Sequence, residues 1–265
     1  MFTRKFNTLD DFETFDILFD KVKNYKDGDK LYFTRFGDGC FIMLYPESPG
    51  QTIGSSNQFV VTDKLQHELR TAYNIEDDSY MVAGCFDLNS QFSTDSNIRR
   101  EKVWNMVSTG QIVERYDFYS ATAPEANFMF KPQLFRDFCN LIYDRKKVWI
   151  NQFWHDNVGK IWGNIEHHIQ TPSVNSYGNI DEWWPELLEV LDDVDVVICA
   201  SGQSSRVICG RLWSMGVKKI VLDIGSVADM FVANTWIFNN IKLRSTMHKE
   251  RSRILNSLEF MLEGR

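Results

Sequence analysis

The chain has 265 residues, of which 43% are hydrophobic and 25% charged, proportions that are ordinary for a folded globular protein. Its formal net charge of −7 argues against a protein that coats nucleic acid nonspecifically, although it leaves room for a local basic patch. Aromatic residues reach 14%, which indicates either a core packed with rings or a pocket that stacks on sugars or bases.

The first half of the chain predicts helices separated by short strands. A helix is predicted over 9–26, because Phe12, Phe15, Phe19 and Val22 recur at helical spacing after Thr8, a candidate N-cap. The first core strand is predicted at 31–33, after a turn at Asp27-Gly28-Asp29. The same reasoning predicts further helices over 62–74, 97–108 and 132–143, and strands over 80–86 and 116–120.

The second half alternates more regularly between the two kinds of element. Apolar runs predict strands over 147–151, 165–169, 194–200 and 219–224. Between and after them, the spacing of apolar residues predicts helices over 155–162, 180–191, 206–215 and 247–262. Strand–helix alternation at this spacing predicts one α/β domain over 1–265, with a Rossmann-like, mostly parallel sheet and helices on both faces.

The cysteines and the termini bear on where the protein works. The five cysteines, at 40, 85, 139, 199 and 209, show neither a CxxC pair nor a metal-binding spacing. The N-terminus lacks the apolar core of a signal peptide, and no apolar run is long enough to span a bilayer. We therefore expect reduced, mostly buried thiols in a cytoplasmic protein.

The first strand runs into a polar turn, Arg35-Phe36-Gly37-Asp38-Gly39. In open α/β sheets, ligands bind beyond the carboxyl ends of the strands. Asp38 could hold a divalent metal there, and Arg35 could pair with a phosphate group. The alternative is a tight structural turn closed by an Arg35–Asp38 ion pair, and the residues alone leave both interpretations open.

Two later strands also end in polar residues. The stretch Ser201-Gly202-Gln203-Ser204-Ser205 precedes a predicted helix, so it is either an anion cradle made of free backbone N–H groups or a simple helix cap. Asp223-Ile224-Gly225-Ser226, with Asp229 close behind, could orient a sugar hydroxyl, cap a turn or bind metal. Both stretches therefore join the first as candidate walls of one crevice.

Other patterns give weaker signals. The chain contains no GxxxxGK[ST], GxGxxG or GxSxG motif. His167 and His168 are neighbours in a predicted strand and so point to opposite faces, which disfavours a shared metal. The basic run from Lys242 to Arg253 is either a solvated helix face or a patch that meets phosphate.

These strand ends resemble the motifs of the GT-D-type glycosyltransferases, bacterial enzymes that transfer a sugar from a UDP-sugar to an acceptor. The turn at Arg35 to Gly39 is similar to the family's R-F-G-D-G-E, and Leu222-Asp223-Ile224-Gly225 is similar to its L-D-I-G. Further segments resemble family segments in the same order: Asn57-Gln58-Phe59 with Leu65, the strand at 147–151, Pro172 to Tyr177, and Ala200 to Gly216. The resemblance extends from about residue 30 to about residue 235.

The resemblance implies a glycosyltransferase, transferring a hexose or pentose by direct displacement at the anomeric carbon of a nucleotide-sugar. It implies that Asp38 contacts metal (Mn²⁺ or Mg²⁺) or ribose and that Asp223 or Asp229 is the base. The remaining implied contacts are to the donor: the turn with Arg35, Gly37 and Gly39 at the diphosphate, Asn175 and Tyr177 beside the nucleotide, and Ser201, Gly202, Gln203, Ser204 and Ser205 at the phosphates.

One position departs from the family pattern. Cys40 stands where the family has the Glu of its D-x-E motif, and a thiol is a poor ligand for hard Mg²⁺ or Mn²⁺. Asp38 could then hold the metal alone, a carboxylate such as Glu47, Asp223 or Asp229 could substitute, or metal dependence could be lost.

The acceptor stays open between a glycan or glycoprotein and a hydroxymethylated base in phage-type DNA. Two rival classes also remain. One is a catalytically inactive relative that only binds a nucleotide or partner. The other is a different Rossmann-like transferase, such as a methyltransferase, which the absence of a G-x-G turn after the first strand disfavours.

Overall fold

The computed structural model describes residues 7–53, 59–84, 102, 105–113, 117–233 and 250–264. Its main sheet has eight strands in the order β1-β6-β5-β2-β10-β9-β7-β8, and every strand pair in it is parallel. A separate antiparallel pair, β3 and β4, lies outside this sheet. The strands are β1 (Asn7–Thr8), β2 (Leu31–Phe36), β3 (Thr52–Ile53), β4 (Phe59–Val60), β5 (Tyr80–Gly84), β6 (Asp117–Ser120), β7 (Lys147–Asn151), β8 (Ile165–Gln170), β9 (Val196–Cys199) and β10 (Ile220–Asp223).

Helices cover both faces of the sheet. In chain order they are α1 (Asp11–Lys23), α2 (Asp38–Leu44), α3 (Asp63–Tyr73), α4 (Ala123–Phe130), α5 (Pro132–Leu141), α6 (Asp156–Trp162), α7 (Ile180–Val190), α8 (Ser204–Ser214), α9 (Val227–Met230) and α10 (Arg251–Leu262). Residues 105–108 are also helical. Helices α2, α3, α7 and α8 pack on one face, and α1, α4, α5, α6, α9 and α10 pack on the other.

Strand β2 shows how one strand supplies both cores. All six of its residues are buried. Tyr32 and Phe36 belong to the core under α3 and α8, whereas Leu31 and Phe33 belong to the core under α1 and α5. Alternate side chains of a strand point to opposite faces, so a continuous apolar run is what two covered faces require. The predicted α/β fold, with a parallel sheet and helices on both faces, is confirmed.

Three helices, α1, α2 and α4, differ from the predicted elements. The N-terminal helix is shorter than predicted, because Asp10, not Thr8, caps it through a capping box with Glu13. The predicted turn at Gly37 to Gly39 is the start of α2, with Gly37 as its N-cap. Helix α4 is absent from the predicted elements. It has only 8 residues, most of them buried, so its sequence shows no alternation between an apolar and a polar face.

Other predictions fall partly or wholly outside the described residues. These are the motif residues Asn57 and Gln58, the segment 85–101 with Cys85, and positions 242–249 of the basic run. The four described cysteines, Cys40, Cys139, Cys199 and Cys209, form no disulfide and are buried. Within the described residues, no helix is both long and apolar enough to cross a membrane.

The order in which the chain adds strands to the sheet reverses between the neighbouring strands β2 and β10. From β2 the chain proceeds to β5 and then β6 on one side, whereas β10 is reached from β9 on the other side. The carboxyl ends of β2 and β10 therefore border a topological switch point, where open α/β sheets form a ligand crevice. Arg35 and Asp223 stand at these two ends.

Candidate functional site

Arg35 and Asp223 are joined directly across the switch point. The backbone N–H of Arg35 donates to Asp223 Oδ2 at 3.2 Å, and the N–H of Gly225 donates to Asp223 Oδ1 at 3.2 Å. Asp223 is fully buried at the end of β10. Its burial raises the pKa of the carboxyl, while Arg206 and Arg35 act in the opposite direction. The carboxylate thus fixes the strand ends to each other.

Arg206, in the first turn of α8, connects three parts of this edge. Its Nε lies 3.4 Å from Asp223 Oδ2 and donates to the carbonyl of Arg35, and its Nη1 donates to the carbonyl of Gly202. Burial opposes the charge of this side chain, but Asp223, and after it Cys40, hold the pKa of Arg206 above its usual value. The sequence reasoning missed Arg206, because it sits one residue beyond the polar stretch that marked the helix start.

Glu125, at the start of α4, completes the arrangement. Its Oε1 accepts from Arg35 Nη2 at 2.5 Å and from the Ser226 hydroxyl at 2.6 Å. The other guanidinium contacts of Arg35 go to the carbonyls of Ala121 and Ile224. We refer to Arg35, Glu125, Arg206, Asp223 and Ser226 as the switch-point cluster. Glu125 was also missed, since nothing in the sequence marked α4.

Gly225 shows how closely the cluster is packed. It has φ +52, and a Cβ built on it would lie 2.2 Å from Arg35 Nη1. A side chain here would meet both backbone strain and the guanidinium. The glycine of the L-D-I-G segment is therefore explained by the approach of Arg35 to the β10–α9 turn.

The N-terminus of α8 adjoins this cluster and is built from hydroxyls. The N–H of Ser201 donates to Ser205 Oγ at 2.9 Å, and Gly202 has φ +63. Ser176, from the loop after β8, donates to the Ser201 carbonyl at 2.9 Å and lies 2.7 Å from Ser204 Oγ. Ser176 lies in the segment Pro172 to Tyr177. The sequence indicated Asn175 and Tyr177 of this segment as site residues, but Ser176 is the residue that contacts the start of α8.

Gln203, the N-cap residue of α8, has no such partner. Its side chain is 2% exposed, and among the described residues neither Nε2 nor Oε1 has a hydrogen-bond partner. A buried amide without partners is unfavourable by about 1–3 kcal/mol, so it is expected where a ligand supplies them. The N–H groups of Ser205 and Arg206 donate to the carbonyls of Gly202 and Gln203 at 3.2 Å, so helix α8 presents the positive end of its dipole here beside the Gln203 amide.

The remaining predicted residues are placed as follows. Gly37 precedes α2 directly, and Asp38 and Gly39 form its first turn, at the carboxyl end of β2. The side chain of Asp38 lies outside the described part. Cys40 is buried in the core between β2 and α3. Asp229 is half-buried in α9, one turn beyond the end of β10.

Asn175 and Tyr177 differ in burial. Asn175 is half-buried, with φ 48, and its carbonyl accepts from Gly178 N at 2.9 Å. Tyr177 is 4% exposed and packs in the core. Burial, with Glu68 beside the ring, raises the pKa of Tyr177. The ring thus has almost no surface to offer a nucleotide, and Ser176 is the residue of this loop that reaches α8.

The described side chains, which do not include that of Asp38, form no site for a divalent metal. They contain no group of three or more His, Cys, Asp or Glu side chains placed to hold one. Cys40 lies close enough to Arg206 to influence its pKa, and a fixed guanidinium disfavours a nearby cation. Glu47 is instead paired with Lys102 on the exposed surface.

The end of the basic run is described as well. Arg253 pairs with Glu250 at 2.6 Å, and its guanidinium lies 4.4 Å from the centre of the Phe130 ring. At this residue the contacts are those of a solvated helix face.

Comparisons with known proteins bear on the fold. No protein-family model matches the chain, and no curated protein sequence matches it. Among solved structures, a new glycosyltransferase (DUF1792) from Streptococcus sanguinis is similar, with a TM-score of 0.62 and 17% identity over 98% of this chain and 95% of that one.

Two further similar structures are a selenomethionine-substituted domain of unknown function 1792 and a domain of unknown function 1792 described as having a distinct glycosyltransferase fold. Their TM-scores are 0.61 and 0.59, each at 12% identity over 93% of this chain and 95% of the other. The chain therefore shares the fold of these structures along nearly its whole length.

Proposed function

We propose that the protein is a glycosyltransferase that moves a hexose or pentose from a nucleotide-sugar, with UDP-sugars as the donor class, to an acceptor hydroxyl. The shared fold with a structure described as a glycosyltransferase supports the reaction class. The resemblance of the strand-end motifs supports the UDP-sugar donor. Its acceptor is proposed to be a glycan or glycoprotein, since Arg253 is already paired within the protein.

One observation carries the proposal: the buried amide of Gln203 at the N-terminus of α8 has no hydrogen-bond partner in the described part of the chain. The Gln203 Nε2 is a donor that suits a phosphate oxygen, and the positive end of the α8 dipole favours an anion beside it. The carboxyl end of β9 places them beside the switch point. A nucleoside diphosphate would supply the acceptors that this corner lacks.

In the proposed reaction the acceptor oxygen attacks the anomeric carbon of the donor sugar. The bond from that carbon to the diphosphate oxygen breaks, the diphosphate leaves with the electron pair, and a base removes the acceptor proton. The Gln203 amide and the positive end of the α8 dipole stabilise the leaving charge. If Asp38 held Mn²⁺ or Mg²⁺, the cation would offset the charge that develops on the leaving diphosphate.

The carboxylates divide between two proposed roles. Asp223 is 0% exposed and is held by Arg206 and by the N–H groups of Arg35 and Gly225. We therefore assign it to positioning the cluster. Asp229 has exposed surface one turn further along, so it is the proposed base. A base must come within hydrogen-bonding reach of the proton that it removes.

The experiment is calorimetric titration of the protein with UDP and UDP-glucose, once with Mn²⁺ and once with EDTA. We expect UDP to bind the wild type and to bind Gln203→Ala about tenfold more weakly, the effect of one lost charge-assisted contact. The matched control is Gln51→Ala, a solvent-exposed glutamine whose side-chain amide donates to the Glu47 carbonyl. Wild-type protein that binds neither UDP nor UDP-glucose would contradict the proposal.

Catalysis is tested separately. UDP-sugar hydrolysis distinguishes an active enzyme from an inactive relative, and Asp229→Asn is expected to reduce turnover with the affinity for UDP unchanged. Equal turnover in Asp229→Asn and wild type would remove Asp229 from the role of base.

A further inference from the structure

The side chain of Trp154 is an exposed aromatic ring at the same edge of the sheet as the candidate site. It is 41% exposed, whereas Trp149 and Trp162 on either side of it in sequence are fully buried. Tryptophan is highly buried on average in folded proteins, so the exposure of this ring is unusual for its residue type. The β7–α6 loop that carries this ring therefore calls for a specific explanation.

The loop holds the ring in place on both sides. The N–H of Phe153 donates to Asn151 Oδ1 at 3.2 Å, and the Phe153 carbonyl accepts from Trp149 Nε1 at 3.3 Å. On the other side, His155 Nδ1 accepts from the N–H of Asn157 at 3.1 Å and caps α6. The backbone next to Trp154 is thus fixed by hydrogen bonds, and its exposure is built into the fold.

The indole lies against two neighbours and leaves the rest of its surface to solvent. Its ring centre is 5.8 Å from that of His168, at an interplanar angle of 40°. On α6, a Cβ added to Gly159 would come to 3.9 Å from the indole, so the helix passes close to the ring without covering it. Two sides of the ring are supported, and the remaining surface is accessible.

Polar side chains lie on the same side of the sheet as the ring: Gln170 follows His168 by two residues in β8 and so shares its face, and Glu186 is near enough to act on the pKa of His168. Gln152 is half-buried and lies two residues before Trp154. Gln170 is exposed and donates through Nε2 to the Gln152 carbonyl at 3.3 Å, which leaves its Oε1 available. Burial lowers the pKa of His168, so its ring is neutral at pH 7. An apolar ring face beside neutral amides suits a sugar, whose C–H face is apolar and whose hydroxyls need donors and acceptors.

The position of the ring favours the acceptor over the donor. Strand β7 is two strands from β10, roughly 10 Å across the sheet at the usual strand spacing. In the sheet formed by the described strands, β8 is an edge strand and lies next to β7. A saccharide bound over β7 and β8 can extend past the edge of the sheet into solvent, which leaves room for an acceptor of more than one sugar.

The geometry points to an acceptor-saccharide subsite at Trp154, in which a pyranose ring stacks on the indole and the amides of Gln152 and Gln170 hydrogen-bond its hydroxyls. This inference rests on the proposed glycosyltransferase function and adds the substrate class of its acceptor side. It assigns Trp154 to acceptor binding and not to the nucleotide.

The test measures saccharide and nucleotide binding separately in wild type, Trp154→Ala and Trp154→Phe. Saturation-transfer NMR is recorded with cellobiose, lactose, maltose and N,N′-diacetylchitobiose, and UDP is titrated by calorimetry. For at least one disaccharide we expect Trp154→Ala to bind about tenfold more weakly, Trp154→Phe to fall between, and UDP affinity to stay unchanged. Phe130→Ala, which removes another exposed ring (51% exposed), is the matched control and should alter neither.

The outcomes are separable. A loss of UDP affinity in Trp154→Ala would overturn the inference by assigning the ring to the nucleobase, and so would the absence of disaccharide binding to wild type that binds UDP. Equal disaccharide affinity in wild type and Trp154→Ala would also overturn it. Disaccharide binding that depends on Trp154, in a protein that does not bind UDP, would support the subsite while contradicting the proposed donor. Because Trp154 is exposed, we expect the variants to fold, and thermal unfolding checks this.

Discussion

Replacing Arg206 by Met removes the cation of a buried ion pair while keeping a side chain of similar length. In Arg206→Met the Asp223 carboxylate would stay fully buried with no guanidinium at 3.4 Å, and the carbonyls of Arg35 and Gly202 would lose a donor. Breaking a buried pair from one side typically costs about 3–5 kcal/mol. We expect a loss of this size in the free energy of unfolding at neutral pH.

The pH dependence gives the sign of the effect. Burial already raises the pKa of Asp223, and removing the neighbouring cation raises it further. A carboxyl whose pKa is higher in the folded than in the unfolded state stabilises the fold when protonated, and this contribution is lost as the pH rises through the folded-state pKa. The deficit of Arg206→Met relative to wild type should therefore shrink as the pH is lowered from neutral toward the acid range.

The assay is denaturant unfolding followed by tryptophan fluorescence, with Arg206→Met/Asp223→Asn as the second variant. Removing both charges leaves no unpaired buried ion, so the double variant should be more stable than Arg206→Met alone. Arg253→Met, which breaks an exposed pair with Glu250, is the control and should have little effect. A deficit below about 1 kcal/mol in Arg206→Met, or a double variant no more stable than the single one, would refute the reasoning.

Three other predictions concern the same fold. Gly225→Ala should destabilise the protein by about 1–3 kcal/mol more than Gly216→Ala. Both glycines have positive φ, but a Cβ at Gly225 would meet Arg35, whereas a Cβ at Gly216 would meet nothing within 4 Å. Equal losses of stability in denaturant unfolding would contradict this prediction. Ser176→Ala removes a hydroxyl bonded to Ser201 and Ser204, so it should cost about 1–2 kcal/mol, against little for the exposed Ser173→Ala. Lys147 is fully buried, and burial lowers its pKa to about 8. Between pH 8 and about 10.4, the usual pKa of a lysine side chain, the unfolded chain then binds more protons than the folded protein. Wild type should therefore gain stability relative to Lys147→Met as the pH rises across that interval. Parallel pH profiles of the two proteins would exclude the shift.

The order of elements followed from the sequence because its signals are local. The strand over 147–151 was predicted with the boundaries that the structure has, and the apolar runs that became β9 and β10 marked strands buried on both faces. Three polar strand ends identified one edge of the sheet, and two of them, at Arg35 and Asp223, are in direct contact across the switch point. Periodicity and polar interruptions of apolar runs are properties of neighbouring residues, so a single sequence contains them.

Which side chains complete the site depended on contacts between distant parts of the chain. Glu125 pairs with Arg35 across 90 positions, and Arg206 reaches the Arg35 carbonyl across 171. Nothing near Glu125 or Arg206 in the sequence distinguishes them from exposed charges in a first helical turn. Likewise, Tyr177 and Asp223 looked available for a ligand, but packing of α3, α8 and β10 buries both. The sequence by itself determined the elements and the edge of the sheet, whereas burial and charge pairing were decided only when the strand order brought these residues together.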